Sequence, residues 1–208
     1  MHFGGYMTEK LENHIVHVYL SVFPFEGGDE KILPAVRAEE IESCTNQKIR
    51  QQKYFVWKLL ERALALSFGL DMGRLNVKKT QTGKWECDGC CFSLSHSGDV
   101  VAVAVSDKPV GIDVEKYDPS RFNLSLAERI ATVREREKLN GLPASAVIEL
   151  WTQKEAIFKL SGGVCFQPKS IETSEYSTST REITIGNGKY FVTIASQYAD
   201  NAVFNLSK

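Results

Sequence analysis

One layout of apolar runs occurs twice along this chain of 208 residues, and that repetition constrains the fold more than composition does. A β-branched and aromatic run, HIVHVYLSVF (14–23), reads as a strand. The segment NQKIRQQKYFVWKLLERALALSFG then predicts a long helix, with Phe55, Leu59, Leu60, Ala63 and Leu66 as its apolar stripe and Gly69 as its stop. Short strands follow near LNVKKT, KWEC, CFSLS and VVAVAV. The second half opens with VGIDVE, passes through helical LSLAERIATV and REREKLNG, and reaches the periodic SAVIELWTQKEAIFKLSG, which stops at Gly162-Gly163. Strands come last, REITIG, YFVTIAS and AVFNLS, the first two joined as a hairpin by GNG (186–188). Strand, long helix and antiparallel strands, repeated once, predict two α+β subdomains, 1–107 and 108–208. About 100 residues each is enough to bury a core, and no Pro/Ser linker separates them, so the halves are expected to pack closely.

An apolar fraction of 43% and a charged fraction of 25% are those of an average soluble protein and argue against disorder and coiled coil. A net charge of −1 provides no global field toward nucleic acid or a membrane. The basic residues are nonetheless clustered, Lys48, Arg50, Lys53, Lys58 and Arg62 in one segment and Arg74, Lys78, Lys79 and Lys84 in the next. Such patches suit a polyphosphate ligand; the alternative is a solvated helix face followed by a charged hairpin. No apolar run reaches the roughly 20 residues that span a bilayer, and MHFGGYMTEKLENH lacks the regions of a signal peptide. A cytoplasmic protein is expected. Five cysteines form an odd set without framework spacing, which predicts reduced thiols. CDGCC contains a C-x-x-C that could begin a zinc site, but no second Cys/His pair follows at finger spacing; the other reading is a turn at Asp88-Gly89 leading into a buried strand.

The chemistry concentrates in two places. In KPVGIDVEKYD (108–118), Asp113 and Glu115 share one face of an extended chain while Ile112 and Val114 face the packing. Two adjacent carboxylates raise each other's pKa unless a cation lies between them. The pair is either half of a site for a hard cation such as Mg²⁺ or a solvated edge strand neutralised by Lys108 and Lys116. On the helix 145–162, Val147, Leu150, Trp151, Ile157 and Phe158 form the apolar stripe, and Glu155 and Lys159, four apart, sit on its shoulder. Lys154 projects from the stripe itself, so it must snorkel or meet an anion. If this helix packs on the strand of Asp113 and Glu115, three carboxylates and two lysines converge on what reads as a metal and phosphate site.

VGIDVEK followed by WTQKEAIFK, and preceded by FSLSHSGDVVAVAV, resembles the 4′-phosphopantetheinyl transferase superfamily in its longer, surfactin-synthetase-activating type. The resemblance implies a pseudo-dimer of two similar α+β subdomains, each a long helix packed on an antiparallel sheet, with coenzyme A bound in an active site between them. A monomer with internal pseudo-two-fold symmetry would suffice. It further implies transfer of the 4′-phosphopantetheine arm of coenzyme A, the co-substrate, to a serine of an apo acyl or peptidyl carrier protein, releasing adenosine 3′,5′-bisphosphate. Asp113, Glu115 and Glu155 match the family's Mg²⁺ ligands, with Mn²⁺ as the alternative metal. Glu155 or a metal-bound water would take the serine proton, Lys159 would serve the departing phosphate, and Lys154 would hold the same pyrophosphate. Ser95 and His96 match the phosphate-binding motif, in which nearby anions are expected to raise the histidine pKa. Lys84 falls beside the nucleotide, and Arg50 and Lys53 are candidates for the 3′-phosphate. Three positions depart from the family pattern: Ser93 replaces Asn, Trp85 replaces Pro, and the aromatic after Arg129 is missing. Carrier proteins of this kind are acidic, so Arg129, Arg134, Arg136 and Lys138, with Ile130 and Val133, are expected to meet one, with Glu128, Glu135 and Glu137 diluting the patch. Two rivals stay open: a Mg²⁺-dependent nucleotide pyrophosphate hydrolase with water as nucleophile, and a non-catalytic coenzyme A or carrier-binding protein.

Overall fold

The VVAVAV run has no polar face because both sides of its strand are covered. The computed structural model describes residues 14–24, 33–138, 141 and 143–207; most of MHFGGYMTEKLENH and, within REREKLNG, Leu139 and Asn140 lie outside them. The first half contains β1 (Val16–Val22), α1 (Ala35–Glu42), α2 (Gln47–Phe68), the short β2 (Lys78–Lys79) and β3 (Trp85–Glu86), then β4 (Cys91–Ser97) and β5 (Val100–Ser106). The second half contains β6 (Gly111–Lys116), α3 (Leu124–Ile130), α4 (Val133–Arg136), α5 (Ala144–Ser161), β7 (Thr178–Ile185), β8 (Gly188–Ala195) and β9 (Ala202–Ser207).

The glycine stops predicted from sequence are in place, and the structure adds an N-cap that the sequence reading did not name. The Asn46 side chain accepts from the Ile49 N–H at 3.1 Å to open α2, and Gly69 (φ 63°) and Gly162 (φ 65°) close α2 and α5 in the left-handed conformation that glycine adopts without strain. The buried stripe of α2 runs through Val56, Leu59, Leu60, Ala63 and Leu64, whereas Leu66 is 63% exposed. Continuing the 3.6-residue period from Leu60 leads to Leu64 and leaves Leu66 toward solvent. Helix α1, opened by Pro34, is an element the apolar pattern does not announce.

Sheet order is β4–β5–β1–β9 in one sheet and β6–β8–β7 in the other. On β5, Val101, Val103 and Val105 pack under α2 with Trp57, Leu60 and Leu64, while Val100, Ala102 and Ala104 face Ile112, Val114, Val192 and Ile194 of the second sheet. Strand alternation therefore divides one apolar run between two cores. On the far side of the second sheet, α5 buries Val147, Ile148, Ala156 and Ile157. The architecture is α+β, with one long helix on the outer face of each sheet. Gly111 permits the close approach of β6 to α5, since a Cβ there would lie 2.0 Å from the Ala156 carbonyl oxygen.

Strand pairing and a ladder of side-chain hydrogen bonds tie the halves together. AVFNLS, which follows the second hairpin in sequence, pairs in parallel with β1 in the first sheet, from Val16 opposite Ala202 onward. The edges β4 and β6 meet through side chains: the N–H groups of Ile112, Val114 and Lys116 donate to the hydroxyls of Ser93, Ser95 and Ser97 at 3.0, 3.2 and 3.0 Å. Alternate serines thus stand in for the carbonyls of a missing strand partner, and Ser93 does its share of this in the position where the resembled family has Asn.

Candidate active site

The serine ladder also sets the first two carboxylates. The Ser95 hydroxyl, accepting from Val114, donates to Asp113 Oδ1 at 2.8 Å, and Ser97 donates to Glu115 Oε2 at 2.8 Å. Helix α5 crosses β6 and delivers Lys159, whose Nζ donates to Asp113 Oδ1 at 2.8 Å and to Ser95 Oγ at 3.1 Å. Asp113 Oδ2 is buried without a donor. Glu115 is gripped by the Arg121 guanidinium, at 3.0 and 3.1 Å, and by Trp151 Nε1 at 3.2 Å. Asp113, Glu115, Glu155, Lys159, Ser95 and His96 line one cleft of about 450 Å³, walled also by Arg37, Trp85, Arg121 and Trp151.

Burial, with Asp113 and then Glu115 as like charges, pushes the Glu155 carboxyl up to about 7, against the opposing pull of Lys159. Burial and Asp113 also raise Glu115. In the protein without a bound phosphate, the His96 imidazole is shifted downward. It keeps an exposed face on the cleft, but protein packed around the rest of the ring, followed by the charges of Lys159, Arg37 and Lys53, lowers its pKa to about 4. Burial and these neighbouring cations hold the imidazole neutral at pH 7 in the protein alone.

Other expected ligands are placed elsewhere. Lys154 is fully buried and turned away from the cleft: its Nζ meets Glu135 Oε2 at 2.7 Å and the carbonyls of Pro168 and Ile171. The helical period explains this, because Lys154 lies about 140° around α5 from Lys159. The anion it meets is a protein carboxylate, which removes the ground for giving it a pyrophosphate. Glu135 in turn accepts the Thr132 N–H in a capping box and the Thr173 N–H and hydroxyl. Burial works to raise the Glu135 carboxyl, but the hydrogen bonds from Lys154, Thr132 and Thr173 hold it below its usual range. Lys84 donates to the Leu160 carbonyl at the end of α5 at 2.9 Å and, with Lys159, lines a small adjoining pocket. Lys53 donates to the Glu40 carbonyl at 3.4 Å, and Arg50 lines a separate cavity of about 800 Å³ between α1 and α2 that shares no lining residue with the cleft. Trp85 is half-buried, edge-on to Trp57 at 4.9 Å.

Sequence reasoning missed Arg37, Arg121 and Ser97. Arg37 is buried, lies over the Trp57 ring, and has an Nε without a partner; a lone arginine in an unrecognised helix gives no signal. Ser97 could have been found from the S-x-S-x-S alternation once β4 was assigned.

Among the described residues, no three His, Cys, Asp or Glu side chains are gathered closely enough to hold a metal ion as they stand. The donor set still fits a hard cation: the oxygens are carboxylate, Asp113 Oδ2 is buried without a donor, and Glu155 is pushed up by the charges beside it. Fold and site together define an α+β protein with a carboxylate–lysine cleft where its two sheets meet. Residues 109–204, a little under half of the chain, match the model of the 4′-phosphopantetheinyl transferase superfamily. It is similar to 4′-phosphopantetheinyl transferase psf-1 of Bacillus pumilus, 45% identical over 75 residues, 34% of this chain and 31% of that protein. A 4′-phosphopantetheinyl transferase of Bacillus subtilis is 28% identical over 158 residues, 71% of this chain and 70% of that protein. The transferase AcpT of Escherichia coli K12 is 34% identical over 92 residues, 42% and 47% of the two chains. The matched stretch thus spans about a third of the first relative, seven tenths of the second and just under half of the third. No described helix is long and apolar enough to cross a membrane.

Proposed function

We propose that this protein transfers the 4′-phosphopantetheine arm of coenzyme A to a serine of an apo carrier protein, releasing adenosine 3′,5′-bisphosphate. The observation that carries this reading is Glu155, a carboxylate at about 7 inside a cleft that also holds Asp113, Glu115 and Lys159. That value belongs to the metal-free protein, and a cation bound beside it would lower it, keeping Glu155 ionised and able to accept the proton of the attacking serine hydroxyl. Lys159, four residues on, offers its ammonium to the departing phosphate and exchanges part of its bond to Asp113 for one to the leaving oxygen. Mg²⁺ or Mn²⁺, held by Asp113, Glu115 and Glu155, would neutralise charge on the pyrophosphate. His96, neutral in the free protein, donates one N–H to a phosphate oxygen and gains affinity for a proton as that anion arrives.

The carrier would meet the edge formed by α3 and α4. Arg129, Arg134, Arg136 and Lys138 are exposed there, and Val133 is 78% exposed. Ile130 is buried and drops out of the surface, and Glu135, buried against Lys154, no longer dilutes its charge. Reversing Arg129 and Arg136 should raise KM for the carrier and leave coenzyme A binding intact; an unchanged KM removes this surface from the proposal.

The deciding experiment is the intact mass of an apo acyl carrier protein after incubation with the protein, coenzyme A and Mg²⁺, beside a Glu155→Gln control. The expected result is a gain of about 340 Da, the mass of the transferred arm, that needs both metal and Glu155. Coenzyme A consumed without a change in any carrier would point to a hydrolase, and coenzyme A bound but intact to a binding protein.

A further inference from the structure

The CDGCC hairpin lies next to the cleft but has no part in the proposed reaction. Cys87 and Cys90 face each other as an isolated antiparallel bridge across the turn Asp88-Gly89, where Gly89 takes φ 90°. Their Sγ atoms are 3.4 Å apart, and the Cys87 thiol also donates to the Cys90 carbonyl at 3.6 Å. Directly opposed antiparallel residues have Cα atoms about 4.5–5.5 Å apart, within the roughly 4.4–6.8 Å that a disulfide spans. The sulfurs need close only to about 2.05 Å, without a new backbone arrangement.

We propose that Cys87 and Cys90 are an oxidation site, a dithiol that closes reversibly to a disulfide by exchange with a low-molecular-weight disulfide. The Cys87 thiolate attacks one sulfur of that disulfide, forming a mixed disulfide and expelling one small thiolate. Cys90, losing its proton to solvent, then attacks the Cys87 sulfur and expels the second. Two protein thiols are oxidised and one small disulfide is reduced to two thiols.

The roles follow from the surroundings. The hydrogen bond from Cys90 favours the Cys87 thiolate and lowers its pKa, while that same bond and burial push the Cys90 thiol up. Both sulfurs are half-buried at the rim of the α2 core, beside Trp85 and Leu94. Cys91, next in the chain, packs with the core between the two sheets, so strand alternation removes it as a competitor. Among the described residues no third metal-ligating side chain joins the pair, which separates it from a zinc knuckle.

The test equilibrates the full chain with graded mixtures of reduced and oxidised glutathione, quenches with acid, alkylates with iodoacetamide, and maps peptides so that adducts at Cys44 and Cys165 are counted separately. The expected result is a peptide lighter by about 2 Da in which Cys87 and Cys90 escape alkylation, fully reversed by reduced glutathione. Cys90→Ser should stop at a glutathione adduct of about 305 Da on Cys87, and Cys87→Ser should leave Cys90 unmodified. Alkylation of both cysteines in excess oxidised glutathione, with the circular dichroism of the folded protein unchanged, would overturn the proposal. A disulfide from either of them to Cys44, Cys91 or Cys165 would do so too. Neither readout depends on transferase activity.

Discussion

Glu155 is the residue at which charge, burial and proposed chemistry meet, and its stability signature has a definite sign. Its folded pKa, about 7, lies above the ordinary carboxylate value of 4.5. Between those two pH values the folded state binds more protons than the unfolded state, so stability falls as pH rises. Glu155→Gln keeps the neutral form at every pH. In metal-free buffer the variant should match the parent in urea midpoint at pH 4 and exceed it at pH 8; equal midpoints at both would disprove the raised pKa. Arg121 acts in the opposite sense on Glu115, since its guanidinium occupies the carboxylate that the proposal gives to a metal. Arg121→Ala should tighten Mg²⁺ binding by about fivefold in calorimetry, the equivalent of one exposed ion pair of about 1 kcal/mol. Weaker binding would mean that Arg121 helps shape the site. Of these groups, i,i+2 and i,i+4 spacing paired Asp113 with Glu115 and Glu155 with Lys159, while spacing alone left open solvated alternatives for both pairs; the structure brings the four to one cleft. Arg121 was not readable, because nothing local distinguishes an arginine that folds back six residues onto a strand from one in solvent.

Helix α5 carries two lysines with opposite fates, and the difference lies in the partner's position. Lys159 finds Asp113 across a strand it was expected to cover, whereas Lys154 finds Glu135 on the short α4. The apolar stripe revealed that Lys154 needs an anion; identifying the anion required knowing where α4 docks, which is tertiary information. Lys154→Met should cost about 3–5 kcal/mol by stranding the Glu135 carboxylate. The double variant Lys154→Met, Glu135→Leu should recover part of that in urea denaturation; a purely additive loss would contradict a coupled buried pair. Gly111→Ala tests the packing of α5 on β6, because the new methyl would meet the backbone at Ala156 and Leu160. A loss of about 3 kcal/mol or more is expected, and a change under 1 kcal/mol would show that the helix can move aside.

At the scale of the molecule, the main elements were legible because helix stops and periods are local, and both long helices and the VVAVAV strand lie within a residue or two of where those signals put them. The joins were not. Serines alternating along β4 look like a wetted edge until β6 is laid beside them, and β9 carries no mark saying which sheet it completes. Those joins, with a core shared between the sheets, should make the halves unfold together. Trp57 and Trp85 report one half and Trp151 the other, so single-tryptophan variants should give coincident denaturation curves; separate midpoints would show independent subdomains. The pairing of β9 with β1 also bears on synthesis. During translation β1 emerges early, but its neighbour at residues 202–207 is made after every other described strand. Until then that edge of the first sheet has open backbone donors and acceptors, the kind of edge that recruits a stray strand. The growing chain is therefore vulnerable to mispairing at that edge until β9 has been made and has emerged from the ribosome.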